Sequence, residues 1–306
     1  GAWELLKEQL LPKVVGHDIN HPDDIYQLFS HIRRNNMSKA CVNCALWDLY
    51  AKRLQLPLAK ALGGDKQKIE VGVSIGVQSS PEKLVETVRG YLDDGYRRIK
   101  MKIKPGADYQ FIKAVRDEFP KAMLMADANS AYRLKDLPML QRLDELGLLM
   151  IEQPLEPGDL VDHAQLQSKL KTAICLDESI LSLADTKKMI QLGSGRIINI
   201  KVARVGGLGA AKQIQEYASK HGIQCWCGGM LDSGVARAEN VAIATLQGYT
   251  LPNDIAASTR YYNQDIIKPV VELDGTYVNV SHQPGLGYEI DWDNMEKFCK
   301  EKLVLK

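Results

Sequence analysis

The sequence lacks several features that define common classes of protein. Its 306 residues carry 39 Lys and Arg against 38 Asp and Glu, so the formal net charge is only +1. This balance excludes the basic footprint of a nucleic-acid-binding protein and the polybasic patch of a membrane-surface protein. No apolar run approaches membrane-spanning length, and no signal peptide opens the chain. We therefore expect a cytoplasmic protein whose partners include neither nucleic acid nor membrane.

Histidine and cysteine are scarce where chemistry would need them. None of the six histidines falls at the end of a predicted strand, so we assign none of them a catalytic role. Cys41-x-x-Cys44 resembles half of a zinc site, but it falls within a helical pattern and has no matching second pair. We therefore expect no zinc site, and free thiols in a reducing compartment.

Five charged residues at nearly equal intervals are the main positive signal. Each lies at or near the end of a short apolar run, and successive members are 25, 25, 25 and 24 residues apart: Lys102, Asp127, Glu152, Asp177 and Lys201. Amphipathic stretches of helical length separate the runs, which is the spacing of consecutive βα units. In a parallel barrel the carboxyl ends of all strands meet on one face, so these five side chains should converge there.

The rest of the chain organises around this repeat. Residues 1–66 show helical periodicity and predict part of an N-terminal capping domain, whereas residues 67–265 predict a barrel with eight strands, the last near Tyr249 to Ile255, and seven clear helices. Residues 266–306 depart from the rhythm, and we expect them to return to the capping domain. Within them, Val271–Val278 predicts a hairpin with an Asp-Gly turn.

Gly206-Gly207-x-Gly209 resembles a phosphate loop, but it lacks the full dinucleotide fingerprint and indicates a tight βα turn.

Three carboxylates at one barrel mouth would repel one another unless a cation neutralised them. Oxygen ligands without histidine or cysteine favour Mg²⁺ or Mn²⁺ over zinc. Such an ion can bind a substrate carboxylate and stabilise the charge that develops when the neighbouring C–H loses its proton. The expected partner is therefore a small-molecule carboxylate.

The lysines supply the base in this interpretation. Lys100 and Lys102 are two residues apart on one strand, so they face the same side, and a neighbouring ammonium favours the neutral form of Lys102. Lys201 lies four strands away, across the cavity, with Asn199 in the same orientation. Two such lysines can exchange a proton between opposite faces of one carbon, or one can do the chemistry while the other stabilises charge.

At this point the motifs resemble those of the enolase superfamily, and within it the muconate lactonizing subgroup. The branch containing o-succinylbenzoate synthases and N-acylamino acid racemases is the most similar, and the resemblance spans the chain. It rests on the Lys-x-Lys pair, Asp127-x-Asn129, Glu152-Gln153-Pro154-Leu155, Asp177-Glu178-Ser179, Asn199-Ile200-Lys201, Arg204-Val205-Gly206-Gly207, Trp226-Cys227-Gly228-Gly229-Met230 and Leu251-Pro252-x-Asp254. The absence of a strand-end histidine and of a strand-eight Asp-x-Asp separates the chain from mandelate racemases and dipeptide epimerases.

The resemblance implies a (β/α)₇β barrel, a modified TIM barrel, with an α+β capping domain. It implies Mg²⁺ on Asp127, Glu152 and Asp177, and acid–base lysines at positions 102 and 201. Family members begin with strands that carry a mobile lid and precede the helices seen here, so we expect an incomplete cap with exposed apolar surface. Such a surface favours association, and we expect a homo-oligomer.

Three functions remain open from the sequence. The first is the Mg²⁺-dependent dehydration of 2-succinyl-6-hydroxy-2,4-cyclohexadiene-1-carboxylate in menaquinone biosynthesis, which is a carbon–oxygen lyase reaction. The second is racemisation of N-acylamino acids by the same lysine pair, and the third is a non-catalytic barrel without its lid. Resemblance and strand-end position together suggest that Ser74, Lys100, Asn129, Gly229 and Met230 bind the substrate.

Overall fold

The structure is a computed structural model that describes residues 1–305, and its first 66 residues are mainly helical. Their α-helices are α1 (Ala2–Leu5), α2 (Leu11–Val14), α3 (Ile25–Leu28), α4 (Asn36–Arg53) and α5 (Leu58–Leu62). A π-helical turn joins α1 to α2. Leu10, Ile25, Phe29 and Val42 form a small apolar core of their own. We call residues 1–66 the helical segment.

Seven parallel strands form the central sheet. The strands of the described chain are β1 (Lys68–Glu70), β2 (Val73–Ile75), β3 (Arg98–Lys102), β4 (Met123–Asp127), β5 (Met150–Glu152), β6 (Ala173–Leu176), β7 (Ile197–Ile200), β8 (Gln224–Cys227), β9 (Ile267–Lys268), β10 (Tyr277–Asn279) and β11 (Glu289–Ile290). The sheet runs from β2 to β8 in chain order. Sequential parallel strands with intervening helices are the arrangement that the 25-residue repeat predicted.

Helices follow the sheet strands and cover the outside of the sheet. They are α6 (Pro81–Asp93), α7 (Tyr109–Glu118), α8 (Leu137–Asp144), α9 (Leu160–Gln167), α10 (Leu183–Leu192), α11 (Val202–Val205), α12 (Leu208–Lys220), α13 (Gly234–Ile243) and, near the end of the chain, α14 (Trp292–Phe298). Several begin at a side-chain cap, as at Ser80, whose hydroxyl accepts a hydrogen bond from the Lys83 amide at 3.2 Å.

The eighth strand is less regular than the sequence predicted. Residues 249–255 form only isolated parallel bridges, between Tyr249 and Cys225 on one side and between Asn253 and Val71 on the other. Pro252 lies between these bridges and has no amide proton, which interrupts a continuous ladder. The segment nevertheless connects β8 to the start of the barrel, because the Asn253 amide donates to the Glu70 carbonyl at 2.9 Å.

The barrel interior is divided into an apolar layer and a charged layer. Met125, Met150, Cys175, Ile197 and Trp226 pack together in a buried cluster. The first four lie two residues before Asp127, Glu152, Asp177 and Asn199, so each pair shares one face of its strand. The apolar layer therefore forms the floor beneath the polar side chains at the carboxyl ends of the strands.

The last forty described residues contact both β1 and the helical segment rather than forming an independent hairpin. Asp274 and Tyr277 make a two-residue bridge around the Asp-Gly turn, but β10 then pairs with β1, not with residues 271–273. The predicted hairpin is therefore wrong beyond its turn, because β1 provides a longer partner. Further along, the Gly285 amide donates to the Leu56 carbonyl at 2.9 Å.

The glycines after β7 are explained by close packing against the helical segment. A Cβ on Gly207, whose φ is +119°, would lie 2.4 Å from Asn43 Oδ1, and one on Gly209 would lie 1.8 Å from Asp23 Oδ1. The Gly209 amide donates to Asn43 Oδ1 at 3.1 Å. Gly206 and Gly207 join α11 to α12, and Gly209 lies in the first turn of α12, so the motif forms a tight turn between two helices rather than the βα turn that the sequence indicated. Glycine is needed there because α4 approaches its backbone.

Candidate active site at the barrel mouth

The predicted site residues converge at the carboxyl ends of the strands. A cavity of about 320 Å³ is lined by eight of them, Ser74, Lys100, Lys102, Asp127, Asn129, Lys201, Gly229 and Met230. Glu152 and Asp177 lie beside it and are almost fully buried. The register accounts for this convergence, since Lys102 pairs with Asp127 and Asp127 pairs with Glu152 across neighbouring parallel strands.

Lys100 is held by three carboxylates. Its Nζ lies 2.7 Å from Glu152 Oε2, 3.1 Å from Asp127 Oδ2 and 3.4 Å from Asp254 Oδ2. Burial alone would lower the pKa of Lys100, but the Glu152, Asp254 and Asp127 carboxylates raise it well above its ordinary value. Lys100 therefore stays charged. Its three carboxylate partners offset much of that charge, so Lys100 favours the neutral form of Lys102 less than the sequence predicted.

Glu152 is the most perturbed carboxylate of the site. Burial and the nearby Asp127 charge raise its pKa to about 7, against the lowering effect of Lys100. Its Oε1 accepts a hydrogen bond from Asn199 Nδ2 at 2.7 Å. Asn199 thus holds one carboxylate oxygen in place while the other faces the lysine.

Asp177 is paired on the opposite side of the site. Its Oδ2 lies 2.9 Å from Lys201 Nζ, and its Oδ1 contacts Arg204, the third residue after that lysine. Burial lowers the pKa of Arg204, with the Glu152 and Asp127 charges opposing that effect. Arg204 belongs to one of the motifs that carry the family resemblance, but the sequence predicted no role for it.

The three carboxylates suit a hard divalent cation by their chemistry. Glu152 Oε2 is buried and receives no well-aligned hydrogen bond, although Lys100 Nζ is close to it. As the side chains stand, no group of three histidine, cysteine or acidic residues within positions 1–305 converges on one point. Asp177 is instead paired with Lys201 and Arg204, while Lys100 is paired with the other two carboxylates. The donor set fits the ion, and the side chains are in an arrangement in which lysine and arginine balance the charge.

Arg98 and Asp254 belong to the same charged layer. The sequence predicted no site role for either residue. Arg98 Nη2 lies 2.5 Å from Asp254 Oδ1 and donates to the Pro252 carbonyl at 3.0 Å. The available signal was alternation, because Arg98 lies two residues before Lys100 and so shares its face of β3. This ion pair connects the first barrel strands to the irregular eighth segment.

The loop after β8 forms another wall of the cavity. A Cβ on Gly229 would lie 2.3 Å from the Asp254 carbonyl oxygen, so only glycine permits this approach. The Met230 amide donates to Asp232 Oδ2 at 2.9 Å, and Arg237 donates to the Asp232 carbonyl at 2.7 Å. Gly229 and Met230, which the sequence predicted as substrate-binding residues, are thus fixed by a network of backbone contacts.

A barrel whose mouth carries two lysines among carboxylates is typical of enzymes that use acid–base catalysis. Two family models of such enzymes match this chain. The family described as enolase C-terminal domain-like matches residues 83–294. The N-terminal domain of the mandelate racemase and muconate lactonizing enzymes matches residues 3–63. The chain belongs to the enolase superfamily, whose enzymes use a divalent metal, typically Mg²⁺.

Individual relatives indicate which branch of the superfamily this chain resembles. An o-succinylbenzoate synthase from Geobacillus stearothermophilus is 54% identical over 97% of this chain and 80% of its own length. An N-succinylamino acid racemase from Thermus thermophilus is 46% identical over 97% of the chain and 80% of its own length. A crystal structure of an enolase superfamily member from Listeria innocua superposes with a TM-score of 0.96 at 47% identity, covering 98% of this chain and 81% of that one.

Proposed function

We propose that this protein is an o-succinylbenzoate synthase, a carbon–oxygen lyase. It dehydrates 2-succinyl-6-hydroxy-2,4-cyclohexadiene-1-carboxylate to o-succinylbenzoate, a step of menaquinone biosynthesis. Relatives with this name that are 47–54% identical over most of the chain support the proposal. The observation that carries it is the pair of lysines, Lys102 and Lys201, on β3 and after β7, which line one cavity with a carboxylate cluster between them.

The two lysines divide the work in this proposal. Proton and hydroxyl can leave from one face of the ring, so Lys102 removes the proton as base and then protonates the departing hydroxyl. Lys102 is exposed to the cavity, whereas Lys100 is buried in ion pairs and stays charged. Lys201 remains protonated on the opposite side and stabilises the enediolate electrostatically.

Asp127, Glu152 and Asp177 would hold the divalent cation, with Mg²⁺ as the expected ion and Mn²⁺ as a substitute. When bound, the ion would draw electron density from the substrate carboxylate and so acidify the neighbouring C–H. Asn199 orients Glu152 for this role, and Ser74, Asn129, Gly229 and Met230 contact the substrate. No helix within residues 1–305 has the length and apolarity to span a membrane.

We also propose that the enzyme works in the cytoplasm as a homo-oligomer.

Arginine substitution of each lysine tests this division, because arginine keeps the charge but does not transfer protons near neutral pH. We expect Lys102→Arg to lose at least about a thousandfold in synthase turnover, within the range of general acid–base catalysis. Lys201→Arg should retain measurable synthase activity. Formation of o-succinylbenzoate is followed by absorbance, and full activity in Lys102→Arg would exclude it as the base.

Racemisation of N-acylamino acids is the second candidate function. The observation in its favour is that a lysine lies on each side of the cavity, which is what proton exchange between two faces requires. The racemase relative from Thermus thermophilus supports it independently. Racemisation needs both lysines as proton carriers, so Lys201→Arg should abolish solvent deuterium exchange into one enantiomer while dehydration continues. Equal loss of both activities in Lys201→Arg would contradict the division of roles.

A further inference from the structure

Arg237, on α13 in the wall of the cavity, is a buried cation without a carboxylate beside it. Three cationic side chains are buried within residues 1–305: Arg98, Lys100 and Arg237, with exposed fractions of 1%, 4% and 2%. The first two form ion pairs with Asp254. Among the same residues, no carboxylate lies within ion-pair distance of Arg237. Among these buried cations, Arg237 is therefore the one whose positive charge the described chain leaves unbalanced.

The hydrogen bonds of Arg237 use only part of its donor capacity. Its Nη1 donates to the Ala256 carbonyl at 2.7 Å and its Nη2 to the Asp232 carbonyl at 2.7 Å. A guanidinium has five N–H donors, and Nε has no partner at all. The Tyr261 ring, with its centroid 5.6 Å from Cζ, offsets some of the charge by a cation–π contact. An aromatic ring does not replace a counter-ion, because an unpaired buried charge is costly.

The position of Arg237 suggests what the counter-ion is. The same cavity is lined by Lys102, Asp127 and Lys201, which surround the reacting carboxylate in the proposed mechanism. An anion against Arg237 would be a different group of the same small molecule. Resting on the proposed function, we propose that Arg237 binds a second carboxylate of the substrate, so that the enzyme selects dicarboxylates such as a succinyl-bearing acid over neutral acyl compounds.

A simpler role for Arg237 must be distinguished from this one. Its two hydrogen bonds connect the loop after β8 to the loop after residues 249–255, and an arginine that did only this would position Gly229 and Met230 without touching the substrate. Loss of that role would weaken every ligand of the cavity to a similar extent. Loss of a carboxylate contact would weaken only ligands that carry the second carboxylate. A pair of ligands that differ in that one group separates the two.

The experiment measures binding by calorimetry in the presence of Mg²⁺. The ligands are o-succinylbenzoate and the same molecule with its distal carboxylate replaced by a carboxamide, which has similar size but no charge. We expect the unmodified protein to bind the dicarboxylate at least about tenfold more tightly than the amide, the effect of one hydrogen-bonded charge contact. Equal affinity of the unmodified protein for both ligands would overturn the proposal without any variant.

Three variants assign the preference to Arg237. In Arg237→Gln the dicarboxylate should lose its advantage while the amide binds as before, and in Arg237→Lys part of the advantage should return. Arg116→Gln is the matched control, because Arg116 also donates only to backbone carbonyls, such as that of Leu146 at 2.8 Å, but lies on α7 outside the cavity. It should keep the full preference. If Arg237→Gln lost affinity equally for the dicarboxylate and the amide, Arg237 would be a positioning residue only, and the proposed carboxylate contact would be wrong.

Kinetics provide a second readout for the same variants. A group that holds substrate and transition state equally raises KM without lowering kcat when it is lost. We therefore expect Arg237→Gln to raise the KM for N-succinylamino acids at least about tenfold, with little change for the matching N-acetyl compounds. If the unmodified protein bound the dicarboxylate selectively but turned over neither class of substrate, the proposed function would fail while the assignment of Arg237 stood.

Discussion

At the residue scale, the barrel mouth is a cluster in which most charges are balanced in pairs. Lys100 lies between Asp127 and Glu152, Arg98 is paired with Asp254, and Asp177 is held by Lys201 and Arg204. Buried charges in such a cluster are tolerated because each is paired. Removing one partner therefore has consequences for all of its neighbours.

Loss of one carboxylate should weaken the binding of the divalent ion. Asp127→Asn, Glu152→Gln and Asp177→Asn each replace a charged oxygen ligand with a neutral amide, which a hard cation prefers less. We expect each variant to lower the affinity for Mg²⁺ at least about tenfold in calorimetric titration, a magnitude typical of losing one charged contact. Asp144→Asn is the control, because its carboxylate accepts from the Lys171 and Thr172 amides and lies away from the cavity. Unchanged affinity in all three variants would end the assignment.

Individual charged residues were the part of the site that the sequence made easiest to find. A charge at the end of an apolar run stands out, and the regular interval brought Lys102, Asp127 and Glu152 to one face. Arg98 and Arg237 were missed because each looks like an ordinary surface residue in its own stretch of chain. Alternation could have placed Arg98 on the same face of β3 as Lys100, but tertiary packing was needed to show that Arg237 is buried and that it has no counter-ion.

At the scale of elements, regular repeats were predictable and exceptions to them were not. The parallel strands and the helices that follow them were visible because each βα unit contains its own apolar period. Residues 249–255 and 271–278 departed from the prediction because strand pairing depends on a distant partner, which is Val71 in one case and β1 in the other. A local pattern gives the propensity of a segment but not which neighbour it will pair with.

Gly72, between β1 and β2, gives a test at this scale. An added Cβ would lie 2.4 Å from Arg98 Cζ, so alanine would push Arg98 away from Asp254. We expect Gly72→Ala to reduce the free energy of unfolding by about 2 kcal/mol or more, as overpacking and a disturbed buried ion pair both require. Gly90→Ala on α6 is the control, because nothing lies within 4 Å of its added Cβ. It should stabilise the protein by about 0.5–1 kcal/mol. Urea titration measures both, and an unaffected Gly72→Ala would contradict the close packing.

At the scale of the whole molecule, the helical segment and the barrel share a half-buried acid, Glu239. Glu239 on α13 lines the same pocket as Cys44 on α4, and burial raises the pKa of Glu239 to about 8, with smaller contributions from Asp232 and Asp48. The folded protein thus keeps a proton that the unfolded chain releases near pH 4.5. Between these two values the folded state binds more protons, so stability falls as pH rises and becomes level above about pH 8.

Replacing this acid by its neutral isostere should remove that pH dependence. We expect the free energy of unfolding of Glu239→Gln at pH 9 to exceed that of the unmodified protein by on the order of 2 kcal/mol, because glutamine carries no charge to bury and the partly enclosed carboxylate is screened by solvent. At pH 4 the two proteins should be similar. Glu145→Gln, on an exposed position after α8, should retain the slope of the unmodified protein. Parallel pH profiles for the unmodified protein and Glu239→Gln would show that Glu239 titrates normally.

The loop that follows β7 begins with Lys201 and then contacts the helical segment through its own backbone. Asn36 Nδ2 donates to the Arg204 carbonyl at 3.0 Å, and the Tyr26 hydroxyl donates to the Gly206 carbonyl at 3.2 Å. A lysine of the candidate active site and a contact with the helical segment thus occupy six consecutive positions. Recombining this barrel with a helical segment from another relative would place a foreign surface against that loop. A chimaera should therefore be functional only when Tyr26, Asn36 and the loop after β7 come from the same parent protein, because together they form one interface between the two parts.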